Sequence, residues 1–266
     1  MSEKEKKDVV KTESNLPVRT TGENQLPAGL DDIDPSKDLK MPRLAILQGL
    51  SQLVIDGKAK MGDLANSLTK EVYGNTVEFI PLFMFKSRVQ FEVGKGIVML
   101  SRDNKTVTWA IDELEQWIGA NVEEVPGASW QGKTPPSFSE VFNFPCIFPT
   151  SLRTFPVALS LMRTGAPAAK ELCSLARYAG EDIFARVYTL KTENKKNEKG
   201  TFAVPSVEFV RRCTEEEYAI AKNYFDNFYR LRSKIEVDLE NESLDDSVKS
   251  KSGVDGNGGD DEGWKE

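Results

Sequence analysis

The sequence predicts a β-rich α+β domain with polar segments at both ends. Short runs of aromatic and β-branched residues recur through the middle of the chain, and only two segments carry strong helix signals. Residues 1–40 and 236–266 are charged and lack apolar periodicity. We therefore expect a flexible N-terminal arm at 1–40, one domain at 41–235 and a disordered acidic C-terminal tail at 236–266.

The strand prediction rests on seven apolar runs. The longest, 77–92, is rich in phenylalanine and valine, and Pro81 within it indicates a bulge or an edge position. Phe91 continues the apolar face of this run at its C-terminal end, where the opposite face becomes polar and is expected to be exposed to solvent. The other runs are 43–50, 96–103, 142–149, 155–164, 182–191 and 201–212. The last two are joined by the basic segment TENKKNEKG and are expected to form a hairpin with a long basic loop.

The two helix predictions rest on signals at the helix ends. Thr164 and Pro167 open the first helix, and Gly180 closes it. Thr214, followed three residues later by Glu217, has the spacing of a capping box for a helix that runs to about residue 235. A shorter helix is expected at 112–119.

The order of these elements favours one architecture. The middle of the chain runs through three strands, a helix and two strands, and the OB-fold is a five-stranded Greek-key barrel with its helix between the third and fourth strands. We therefore expect an OB-fold-like five-stranded barrel with helical elaborations. Other α+β domains produce the same order of elements.

The composition excludes most catalytic chemistry. The chain has no histidine, which removes the usual triads and histidine metal sites. Cys146, Cys173 and Cys213 form neither a CxxC motif nor a zinc-binding spacing. No glycine-rich phosphate loop precedes a helix. We predict a protein that is not an enzyme and needs no cofactor or metal; a nuclease with carboxylate-bound metal is the catalytic alternative.

Charge is distributed unevenly along the chain. The formal net charge is −7, and residues 236–266 contain eleven acids against three lysines. The rest of the chain is therefore close to neutral, and the acidic block has the composition of an interaction tail. No long apolar run or apolar N-terminal signal region occurs, which predicts a cytoplasmic protein without membrane contact.

Aromatic and basic residues in the run 182–191 predict a nucleic-acid-binding face. Period-2 alternation places Phe184, Arg186 and Tyr188 on one face, where rings stack on bases and a guanidinium neutralises phosphates. Alternatively, Phe184 and Tyr188 pack beneath the terminal helix. Other basic residues that can join this face are Lys86, Arg88, Arg163, Lys195, Lys196, Lys199 and Arg211. The sequence leaves open whether they converge.

The runs 41–51, 77–92, 96–103, 142–149, 155–164 and 183–210 together resemble bacteriophage proteins of the single-stranded DNA-binding type. The resemblance implies an OB-fold protein that coats single strands during phage replication or recombination. It also implies that the acidic tail, through Asp260, Asp261, Glu262 and Trp264, recruits replication or recombination proteins. Lys265 and Glu266 follow Trp264, whereas many such tails end in an aromatic residue.

A different function class fits the same features. A phage structural or scaffold protein without nucleic-acid binding would also have polar tails and a compact β-rich body. In either class, a phage-encoded chain would act in the host cytoplasm. The sequence leaves open whether the protein prefers DNA or RNA, what its oligomeric state is, and whether Trp109 or Trp130 stacks on bases.

Overall fold

The computed structural model describes residues 40–92, 95–129, 136–152, 154–197, 200–232 and 234–237. Its regular elements are thirteen strands and three α-helices. The strands are β1 Lys40–Met41, β2 Arg43–Ile46, β3 Leu64–Asn66, β4 Val72–Gly74, β5 Thr76–Pro81, β6 Phe85–Glu92, β7 Gly96–Ser101, β8 Trp109–Ala110, β9 Phe138–Ile147, β10 Val157–Met162, β11 Arg186–Asn197, β12 Gly200–Arg212 and β13 Glu236–Val237. The helices are α1 Gln52–Ile55, α2 Ala166–Ala179 and α3 Glu215–Phe228.

Most strands belong to one mixed sheet. Its order is β12-β11-β5-β9-β10-β2-β3-β4, and β6, β7 and β8 branch from β9. β2 is parallel to β10, whereas the other neighbours in this sheet are antiparallel. β1 and β13 form a separate parallel pair. The β-rich α+β prediction is confirmed, and among the described residues no strand pairing closes the sheet into a barrel.

The predicted strand 77–92 is a bent segment made of two strands. Pro81 ends β5, and β6 begins at Phe85. β5 pairs with β11 on one side, while β6 pairs with β7, and both β5 and β6 pair with β9. Proline lacks the amide donor that a continuous ladder requires. The bend therefore lets one stretch of chain serve two parts of the sheet.

The two long helices cover opposite faces of the sheet. Phe79, Leu159 and Tyr188 belong to the apolar cluster that includes Leu172 of α2. Ile80, next to Phe79 in β5, instead packs in the cluster formed with α3. This follows from the period of two along a strand. Full burial of such side chains stabilises the fold by roughly 1.5–3 kcal/mol each.

The end of α2 and the start of α3 are as the sequence predicts, whereas α3 stops at Phe228, before the predicted end near residue 235, and a 3-10 turn at Tyr229–Leu231 follows it. α2 stops before Gly180, which adopts φ 66° and so takes the left-handed conformation that favours glycine. At the start of α3, the Thr214 hydroxyl accepts from the amide of Glu217, and the Glu217 carboxylate accepts from the amide of Thr214. The expected helix at 112–119 is a 3-10 helix, Asp112–Trp117. None of the described helices is both long and apolar enough to cross a membrane.

The hairpin predicted near the C-terminus is present, but its loop is much shorter than expected. β11 continues to Asn197 and β12 begins at Gly200, so most of TENKKNEKG lies in strands. A register shift between Val187 and Tyr188 adds one residue to the β12 side. Residues 183–185 form a 3-10 turn that precedes β11.

Candidate nucleic-acid interface

The two aromatic rings predicted to stack on bases are buried. Phe184 is 4% exposed, with its ring centre 5.0 Å from that of Phe225 in α3. Tyr188 is 0% exposed and packs near Phe79. The stacking prediction for both rings is therefore wrong. Because Phe184 lies in the turn before β11, strand alternation does not place it on the face of Tyr188, and both faces of the strand are covered.

Arg186 and Arg211 are held by carboxylates at the corner between β12 and α3. Arg186 donates from Nε to Glu181 at 3.2 Å, and its guanidinium lies 4.7 Å from the centre of the Phe209 ring. Arg211 donates from both terminal nitrogens to Glu217, each at 2.7 Å. These hydrogen bonds hold the pKa of Glu217 at about 2. Both arginines therefore stabilise the fold at this corner.

Lys86 and Arg88 also have acidic partners. Lys86 contacts Glu140 at 2.9 Å and lies 4.7 Å from the ring centre of Phe142, a core residue of the α2 side. Arg88 contacts Glu123 at 2.5 Å, and this bond lowers the pKa of the Glu123 carboxyl. Because side chains two apart in β6 share a face, both point to the side of the sheet that α2 covers.

Arg163 lies on the opposite side of the sheet. Its Nε donates to the Ser139 hydroxyl at 3.1 Å, and its guanidinium lies 4.9 Å from the centre of the Phe91 ring. Ser139 pairs with Val89 in the β6–β9 register, which assigns it to the face that carries Val89 and Phe91. The exposed Arg163 has no carboxylate partner among the described residues. The basic residues, whose convergence the sequence left open, therefore do not all lie on one face of the sheet.

The remaining predicted site residues lie near or beyond the limits of the structure. Lys195 and Lys196 are exposed at the end of β11 and make no ion pair within the described part of the chain. The predicted residues outside the described ranges are Lys199, Asp260, Asp261, Glu262 and Trp264. Trp130, whose role the sequence left open, also lies outside them.

Arg163 and Phe91 belong to what we call the outer face, the side of β6, β7, β8, β9 and β10 that is turned away from α2. Its buried base consists of Val89, Val141 and Met162. Leu100 pairs with Val89 on one side and with Trp109 of β8 on the other, so the Trp109 ring lies on the same face. Trp109 is 42% exposed, and Phe91 is half-buried. The outer face thus presents two accessible aromatic rings and a guanidinium.

A two-stranded strap, made of β1 and β13, lies against part of the outer face. Val237 packs on the cluster that contains Val89 and Met162. Glu236 accepts from Arg102 at 2.9 Å and contacts Lys40 at 3.3 Å. Both residues of β13 fall in the segment that the sequence assigned to the acidic tail, so this segment begins at the outer face.

Sequence reasoning missed most of this surface. The sequence contains one signal for it: the alternation in the run 77–92 places Phe91 on the apolar face, near the C-terminal end where the other face becomes polar. Arg102 and the strap carry no such signal, because Arg102 meets Glu236 across 134 positions of sequence and the strap pairs Lys40 with Glu236.

A family model described as Pam3 phage gp34-like protein matches residues 10–234. The chain belongs to this family. The match covers nearly all the described residues, and it supports the bacteriophage part of the resemblance. The family's description names neither a ligand nor an activity. Searches among curated proteins and among solved structures gave no match.

Proposed function

We propose that this gp34-like protein binds single-stranded DNA on its outer face during phage replication or recombination. One observation supports the proposal: this face combines aromatic rings with a cation. Trp109 is exposed, and the Arg163 guanidinium, which has no carboxylate partner among the described residues, lies over the ring of Phe91. Stacking of bases on aromatic rings contributes about 1–3 kcal/mol per base and tolerates any sequence. Neutralisation of phosphates by arginine supplies affinity that falls with salt.

An open OB-like barrel is the architecture that we infer for this function. The bent β5–β6 segment pairs with β9 and with β11, and α2 follows β10. The side chain of Gln48, in the segment after β2, donates to and accepts from the backbone of Ala203 in β12. In this interpretation the β2 segment fills the gap between β10 and β12. The outer surface of the second and third strands, here β9 and β10, is the oligonucleotide-binding side of an OB-fold.

The acidic tail gives the proposal a regulatory partner. Glu236 at its root already pairs with Arg102 on the outer face. We propose that the following acids compete with DNA phosphates for this face and that Trp264 anchors a replication or recombination protein when DNA displaces the tail. The protein would then act in the host cytoplasm as a binding protein, without catalysis or a cofactor.

The second candidate is a phage structural or scaffold protein without nucleic-acid binding. Two observations favour it. Phe184 and Tyr188 serve the core, and the predicted DNA-binding cations with carboxylate partners include Lys86, Arg88, Arg186 and Arg211. Cations that are already paired with carboxylates bind the phosphates of a DNA strand more weakly than unpaired cations do.

Fluorescence anisotropy with labelled oligo(dT) tests the proposal. The full chain should bind with an affinity that falls as salt is raised. Trp109→Ala should weaken binding about 5- to 150-fold, the equivalent of one lost stacking contact. The matched control is Tyr178→Ala, which removes a 93% exposed ring from α2, on the other side of the sheet. Absence of salt-sensitive binding by the wild-type chain would favour the structural candidate.

A further inference from the structure

We propose that Arg163 is a preformed phosphate clamp of the outer face, gripping one phosphodiester through its two terminal guanidinium nitrogens. The inference rests on the proposed function and assigns a separate task to each aromatic residue. Phe91 supports the arginine, and Trp109 receives a base. Three features of Arg163 carry it: its backbone, its side-chain contacts and its charge.

The backbone of Arg163 has an unfavourable conformation. Its φ is 47°, a left-handed value that side chains with a Cβ rarely adopt. It directly follows β10 and opens the 3-10 turn Arg163–Gly165. Glycine would take this conformation without strain. Strained non-glycine residues cluster at binding sites, where the side chain is needed at that point.

The contacts of Arg163 fix the guanidinium and leave its outer edge available. Nε donates to the Ser139 hydroxyl at 3.1 Å, and the plane is supported by the Phe91 ring. Within the described residues, neither terminal nitrogen has a protein acceptor. Two parallel N–H groups at the edge of a guanidinium match two oxygens of a phosphate. The arginine is therefore oriented before the ligand arrives, which reduces the entropy lost on binding.

The charge of Arg163 also distinguishes it from its neighbours. Arg102, on the same face, is neutralised by Glu236, and Arg88, on the opposite side of the sheet, is neutralised by Glu123. A phosphate approaching either of these must displace a carboxylate, whereas Arg163 has no carboxylate to release among the described residues. On the outer face, Arg163 is accordingly the first cation to engage a strand.

The test compares Arg163→Gly with Lys70→Gly in the full-length protein. Lys70 also has a left-handed backbone, with φ 61°, and lies in the turn between β3 and β4 at one edge of the sheet. Each variant loses one positive charge and relieves one left-handed residue, and Lys70, whose ammonium donates to the backbone carbonyl of Ser67, lies outside the outer face. Oligo(dT) affinity is measured over a salt series, and thermal unfolding reports stability. Arg163→Lys, which keeps the charge but not the fork, is the third variant.

Arg163→Gly should lower oligo(dT) affinity about tenfold or more and reduce the slope of log K against log salt by about one, with no fall in melting temperature. Lys70→Gly should bind as the wild type does. Arg163→Lys should keep the salt slope and lose part of the affinity. If the wild type binds and Arg163→Gly binds equally with an unchanged slope, the clamp is refuted while the proposed function stands. If the wild type does not bind, the proposed function fails and the clamp with it.

Discussion

Glu217 offers the most quantitative test of how α3 is attached to the sheet. Its carboxylate accepts from both terminal nitrogens of Arg211 and from the amide of Thr214, all at 2.7 Å. The Glu217→Gln substitution keeps the shape of the side chain and removes its charge. It leaves the Arg211 guanidinium without a counterion and weakens the helix cap.

The magnitude follows from the pKa of Glu217. Arg211 holds this pKa at about 2, against an ordinary value of 4.5. Each tenfold change in proton affinity corresponds to about 1.4 kcal/mol, which gives an upper figure of about 3 kcal/mol. The Arg211 side chain is 41% exposed, and screening by water reduces this figure. We expect Glu217→Gln to lower the free energy of unfolding by about 2 kcal/mol at pH 7.

The pH dependence has a defined sign. The pKa is lowered in the folded state, so the stabilisation is present above about pH 4.5 and is lost as the pH falls towards 2. The difference between wild type and Glu217→Gln should therefore be full at pH 7 and fall to about a quarter of that value near pH 2.5. Other carboxylates titrate in the same range, but they contribute equally to both proteins and cancel in the difference.

Urea denaturation followed by circular dichroism measures both free energies. The control is Glu216→Gln, because Glu216 lies in the same first turn of α3 and is exposed. It should change stability by less than about 0.5 kcal/mol. A Glu217→Gln effect no larger than that of the control at pH 7, or a difference that persists unchanged at pH 2.5, would refute this account of the corner.

Other predictions test the core, the thiols, the helix end and the tail. Phe184→Ala should destabilise the domain by about 3–5 kcal/mol in urea denaturation, and its folded fraction should keep the oligo(dT) affinity of the wild type. Burial raises the pKa of Cys146 to about 12, so a thiol reagent followed by mass spectrometry should modify Cys146 only after unfolding. Gly180→Ala should lower the urea midpoint, with a cost of about 1 kcal/mol, because its φ is 66°. Truncation after Val237 should tighten oligo(dT) binding most at low salt, measured by anisotropy.

The sequence predicts local structure well where signals lie within a few residues of one another. The capping box of Thr214 and Glu217 and the end of α2 at Gly180 are of this kind, and both are present. The loop of the C-terminal hairpin was misjudged because TENKKNEKG is polar throughout. Its strand conformation comes from the pairing of β11 with β12, which overrides the local preference.

The candidate site was harder to predict because its charges are paired over long distances in sequence. Lys86 meets Glu140 through the register of β6 with β9, and Arg88 meets Glu123, which lies 35 positions away in a 3-10 turn. Basic residues counted along the chain therefore overstate the positive charge available to a ligand. Burial has the same effect on the aromatic residues, since Phe184 and Tyr188 cannot be distinguished from exposed rings without knowledge of what covers each face.

Three features that are unrelated in the sequence meet on the outer face. The strained Arg163, the exposed Trp109 and the root of the acidic tail at Glu236 lie there because β6, β7, β8, β9 and β10 share one surface. A tail that leaves the domain beside a cationic surface remains at high local concentration near it, because the link is covalent. In the proposed function, the acids of the tail that cover the outer face when DNA is absent are therefore released when phosphates take their place, and tail exposure becomes coupled to strand binding.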